Sequence, residues 1–231
     1  MPAFFMTGTG PAIGKTFLSC ALLRHWRSMG LKAAAYMGVL TGFDPTQPEQ
    51  SDPGLMLAAL DQPVDTAGLD RIAPWRYQAA LAPNVAAAKE GDVIDYRDIL
   101  SSSRAFLRGE HDVALIEGLG GVMAPLTEDR TMLDWIVDVG LPAILVTGSY
   151  LGTLSHSLTA LQVLADRGVK VRLIVMCETP GSSVPLHENA VSLSRRWPSA
   201  PVRALTRDPV PQTIAAIAEA LLSEAPSASM S

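Results

Sequence analysis

Residues 7–16 read TGTGPAIGKT and follow directly on the apolar run AFFM at 3–6. A strand that runs into glycines, a lysine and a hydroxyl residue is the order in which a phosphate-binding loop is built. Glycine backbone N–H groups can aim at phosphate oxygens, and the helix that follows presents the positive end of its dipole. The common loop has four residues between its outer glycines; here five separate Gly8 from Gly14, two of them Gly10 and Pro11. Gly14, Lys15 and Thr16 keep their order all the same. Lys15 is placed to neutralise phosphate charge and the Thr16 hydroxyl to ligate Mg²⁺. The chain has only four lysines, so one at this position does not reflect general abundance.

Working outward, Leu18, Leu22, Trp26 and Met29 repeat at helical spacing and Gly30 can close that helix. AAAYMGV (33–39) then reads as a second strand, which makes a βαβ unit with the glycine loop at its first turn. Further strands are expected at 113–118, 142–148, 171–177 and 201–205, and helices at 54–60, 97–108, 152–167, 187–196 and 211–223. This alternation predicts an α/β fold, a doubly wound and mainly parallel sheet flanked by helices, like that of P-loop NTPases. A length of 231 residues suits one domain, expected over 1–223, with 224–231 (EAPSASMS) as a flexible tail.

Composition narrows the function. Net charge is −5, so no general basic field exists to hold a polyanion, and nucleic acid is not an expected partner. No apolar run approaches the roughly 18 to 20 residues of a membrane span, and the first residues lack a basic leader, which predicts a cytoplasmic protein without a membrane partner. Cys20 and Cys177 have no metal-site or disulfide spacing and read as small buried residues.

Chemistry concentrates at predicted strand ends. Glu117 closes VALIE and precedes Gly118, Gly120 and Gly121; the carboxyl end of a parallel strand is where ligands bind, and an acid there can hold Mg²⁺ opposite the phosphate loop. Asp52 in the long loop 41–54 is either a further metal contact or the cap of the helix from Gly54. Gly148 and Gly152, in TGSYLG, permit close approach of a ligand or another subunit. His156 is read as a packed or capping residue, and Asp129 and Asp134 as part of a loop and a helix start.

With GTGPAIGKT, IEGLGG, TGSYLGTLSHSLTALQVL and APWRYQAALAPNVAAAKEG (73–91) in order, the chain resembles the dethiobiotin synthetase family over residues 3 to about 215. The family's phosphate loop has the same extra residue. The resemblance implies an ATP- and Mg²⁺-dependent ligase that forms the ureido ring of dethiobiotin from 7,8-diaminononanoate and CO₂, through a carbamate and its phosphoric anhydride. By position it implies nucleotide contacts at Ala12, Ile13, Gly14, Lys15, Thr16, Phe17, Glu117, Gly118 and Gly120, and metal contacts at Thr16, Asp52 and Glu117. Lys15 and Thr41 take catalytic positions, Thr41, Gly148, Leu151 and Gly152 meet substrate, and a homodimer is expected. The sequence departs from the family pattern where Y-K-P-V-x-S-G becomes YMGVLTG, putting Met37 in place of a lysine and Gly38 in place of a proline. Pro11 and Ala12 replace a common threonine and acid, and Met176 to Glu178 replace an N-[DR] pair on the adenine side. These changes leave open a weakened paralogue that binds nucleotide, or a related ligase with another substrate.

Overall fold

In the computed structural model, which describes residues 1–223, the opening apolar run becomes β1 (Ala3–Gly8), buried along its whole length. The tail expected at 224–231 lies outside the described residues. After the glycine loop comes α1 (Lys15–Ser28), whose Leu18, Leu22 and Trp26 are fully buried. Met29, expected in that apolar stripe, instead forms the C-cap and stands 53% exposed.

The stretch 33–39, expected as one strand, is two. β2 (Ala33–Tyr36) joins the main sheet, and β3 (Val39–Thr41) pairs in parallel with β4 (Trp75–Tyr77) in a separate two-stranded sheet. The division falls at Met37 and Gly38. Both backbone N–H groups donate to the Ile72 carbonyl, at 2.8 and 3.0 Å, and Gly38 turns the chain at a φ of +71°. A side chain at Gly38 would also press on Trp135, whose Cη2 lies 3.1 Å from where a Cβ would stand. Only glycine meets both demands at little cost.

A single 3₁₀ turn, Pro48–Gln50, interrupts the long loop before α2 (Asp52–Ala59). The cap is Ser51, whose Oγ accepts from the Gly54 N–H at 3.2 Å, so Asp52 takes the first helical position and does not cap. Two short helices were not anticipated, α3 (Thr66–Ile72) and α4 (Pro83–Lys89), and α6 (Met132–Val139) was expected only as a helix start at Asp134. With seven or eight residues each, an apolar period of 3.6 scarcely repeats. α6 opens with a capping box between Thr131 and Asp134, in keeping with the expected helix start. The remaining elements follow the predicted order: α5 (Tyr96–Leu107), β5 (Val113–Glu117), β6 (Ala143–Gly148), α7 (Thr153–Asp166), β7 (Val171–Cys177), α8 (Leu186–Arg196), β8 (Val202–Leu205) and α9 (Pro211–Leu222).

The main sheet is parallel throughout, in the order β2-β5-β1-β6-β7-β8. Side chains of β1 alternate between two cores. Phe4 and Met6 join Leu22, Trp26, Ile217 and Leu221 under α1 and α9; Phe5 faces the other way and meets Trp135 of α6 edge-on, at 5.0 Å. The chain leaves β1 toward β2 on one side and places β6 on the other, so β1 borders the point at which strand order reverses. Ligand crevices of open α/β sheets form at such a point, beyond the carboxyl ends.

Candidate functional site

The register of β1 and β5 sets Met6 beside Glu117, so the loop after β1 and the acid at the end of β5 are neighbours by construction. Within the loop Ala12 and Gly14 are left-handed, at φ of 54° and 107°. Gly14 has a second reason to lack a side chain: a Cβ there would lie 2.9 Å from Sγ of Cys177, which sits directly beneath it.

Lys15 is buried, and its ammonium donates to the carbonyls of Gly10 at 2.9 Å and Gly120 at 2.8 Å. Burial lowers its pKa, while the charges of Glu117 and Asp52 oppose that shift. Glu117 is 1% exposed. One carboxylate oxygen accepts from Thr16 Oγ1 at 2.7 Å and the other from Ser19 Oγ. Burial still pushes its pKa up to about 7, with the nearby Asp52 charge adding to the rise.

These groups surround a cavity of about 270 Å³, whose walls include Lys15, Thr16, Met37, Asp52, Glu117 and Arg207. A larger cleft, about 600 Å³, lies between Pro2, Leu141 and Lys170 at the amino ends of the strands, away from the phosphate loop. Size therefore does not pick the site; converging charge does. Among the described residues no three His, Cys, Asp or Glu side chains cluster as a metal cage. The donors present are all oxygens, two carboxylates and a hydroxyl, which suits a hard cation that takes its other ligands from phosphate and water.

Of the other residues singled out from sequence, Ala12, Phe17, Gly118 and Gly120 border this cavity. Ile13 packs into the core under α1. Thr41 ends β3 and is half-buried outside the cavity wall. Gly148 ends β6, Gly152 precedes α7, and Leu151 between them is 91% exposed. His156 is exposed, and its Nδ1 lies 2.9 Å from the Tyr150 hydroxyl. Met37 is 1% exposed, within the core under α1, and presents no charge to the cavity it borders. Two residues were missed. Ser19 lies three positions after Thr16 on the same helix face, a spacing that signals a shared partner. Arg207 follows β8 in a polar turn that carries no sequence signal.

A family model described as "AAA domain" matches residues 2–218. The ATP-dependent dethiobiotin synthetase BioD of Phenylobacterium zucineum (strain HLK1) is 43% identical over 223 residues, covering 96% of this chain and 95% of its own length. The protein of the same name from Caulobacter vibrioides (strain NA1000 / CB15N) is 48% identical over 180 residues, covering 78% and 81%. The chain belongs to the dethiobiotin synthetase family. As a family member it shares a fold with more distant proteins. One chain of the MinC:MinD cell division protein complex of Aquifex aeolicus superposes with a TM-score of 0.61 at 13% identity, over 97% of both chains. The septum site-determining protein MinD of Pyrococcus horikoshii OT3, complexed with Mg-ADP, gives 0.50 at 15% identity, over 92% of this chain and 84% of its own. Identity that low speaks for the fold alone. No described helix is long and apolar enough to cross a membrane.

Proposed function

We propose that this chain is an ATP- and Mg²⁺-dependent ligase that closes the ureido ring of dethiobiotin on 7,8-diaminononanoate with CO₂. The observation that carries it is the convergence of Lys15, Thr16, Asp52 and Glu117 on one cavity, in a chain 43% to 48% identical to proteins named for that synthesis. The chemistry has three steps. A substrate amine takes up CO₂ and loses a proton, giving a carbamate. A carbamate oxygen attacks the γ-phosphorus and ADP leaves. The second amine then attacks the carbonyl carbon of the mixed anhydride, phosphate departs, and the ring closes.

The protein contributes by placement and charge. Lys15 exchanges its two carbonyl partners for phosphate oxygens. Thr16, Asp52 and Glu117 would hold Mg²⁺, which would supply positive charge against the phosphates. Ser51 caps α2 and so leaves the Asp52 carboxylate for that task. The Thr41 hydroxyl orients the substrate, and Gly148, Leu151 and Gly152 meet it beside a second copy of the chain.

One observation favours a second reading. Met37 is a buried thioether where the family pattern has lysine, and a thioether cannot neutralise a carbamate or a transferring phosphoryl group. A nucleotide-binding paralogue with weakened ligase activity, or a relative with another substrate, fits that position. Incubation with ATP, Mg²⁺, bicarbonate and diaminononanoate, following ADP and ring product, separates the readings. Product that depends on the diamine and disappears in Lys15→Ala supports the ligase. ATP binding without product, together with activity gained in Met37→Lys, overturns it in favour of the paralogue.

A further inference from the structure

We propose that Arg207 is a stacking platform for the nucleobase, and that this chain grips its nucleotide by the flat face of the base with little reading of the base edge. The inference rests on the nucleotide reading above and extends it to the other end of the ligand.

Arg207 is held at two points. Its main-chain N–H donates to Glu178 Oε2 at 2.9 Å and its Nε to the Glu178 carbonyl at 2.8 Å. The guanidinium carbon lies 5.6 Å from the centre of the Phe17 ring. Phe17 follows Thr16 in the first turn of α1, and Lys15 marks the far end of the phosphates, so a nucleotide laid along the loop brings its nucleoside toward Phe17 and Arg207. The guanidinium stands over the face of the Phe17 ring, and its bond from Nε to the Glu178 carbonyl holds it in place. It is a planar cation, a kind of surface on which bases stack. Among the described residues, Nη1 and Nη2 have no hydrogen-bond partner.

The two residues before Glu178 on the adjoining strand end offer no polar side chain to a base edge. Met176 is fully buried and Cys177 lies packed beneath Gly14. Glu178 spends a carboxylate oxygen and its carbonyl on Arg207, which makes it the positioning residue for the platform. Every base has a π-face, so stacking tolerates exchange of bases where edge-pairing does not.

Titration calorimetry on the full chain with Mg²⁺ tests this, using ATP, GTP, CTP and inorganic tripolyphosphate as probes. In the unaltered protein the three nucleotides are expected to bind within about fivefold of one another; a preference above about twentyfold for one base overturns the proposal. Arg207→Ala is expected to weaken all three by about tenfold and to leave tripolyphosphate unchanged, and Arg207→Lys to restore little, since an ammonium is not planar. Equal loss for tripolyphosphate means a phosphate contact and overturns the stacking role, as does no loss at all. Arg207→Met keeps the apolar stem and repeats the test if the alanine variant folds poorly. Nucleotide binding that needs Lys15 but ignores Arg207 overturns this proposal alone; a protein that binds none of the four overturns the nucleotide reading with it.

Discussion

Glu117 shows what a single buried acid does to this fold. Its two oxygens are satisfied by hydroxyls from Thr16 and Ser19, yet burial holds its pKa near 7 against an ordinary 4.5. Between those values the folded state binds the extra proton, so this group's contribution to stability falls as pH rises through that window and stays lost above it. Removing the charge should therefore help the ligand-free protein. Glu117→Gln is expected to melt several degrees above the unaltered chain at pH 8 in the presence of a chelator, with the gap closing below pH 5. Thermal melts across pH check this, and a lower melting point at pH 8 would refute it. At this scale the sequence was informative where residue type and strand-end position coincide, as at Lys15, Thr16 and Glu117. It was silent on Arg207, because an arginine in a turn is ordinary until its Nε is seen bound to the Glu178 carbonyl.

The elements divide in the same manner. Strands rich in β-branched residues and long helices were legible, because their periods repeat several times; α3 and α4 were too short to announce themselves, and α6 showed only its start at Asp134. The break between β2 and β3 was hidden for another reason. AAAYMGV is apolar without interruption, and hydrophobicity does not register that Gly38 is left-handed or that Ile72 takes two N–H groups. Gly38→Ala must adopt that φ and crowd Trp135, and is expected to cost roughly 1 to 3 kcal/mol. Denaturant melts give the value. A neutral result would show that the turn is not fixed by Gly38. Since β3 carries Thr41 and the break carries Met37, the same change is expected to disturb diamine-dependent turnover more than nucleotide binding.

At the level of the molecule, Leu151 stands 91% exposed at the tip of the β6–α7 turn, where the proposed second copy of the chain would meet it. If two copies meet there, light scattering should report about twice 24.5 kDa at micromolar concentration, and Leu151→Asp should shift the population to the single mass. A single mass for the unaltered protein would rule out that pairing. The doubly wound architecture was readable from alternation alone, while the pairing of strands was not, since β1 lies between β5 and β6, both distant in the chain. That arrangement has a consequence in time as well as in space. The cavity wall is contributed by the loop after β1 and by the turn after β8, so Lys15 and Arg207 share one space. A chain still on the ribosome presents its phosphate loop before the segment beyond β8, and it encloses that cavity only once that segment has followed, so ligand capture waits on the later of the two.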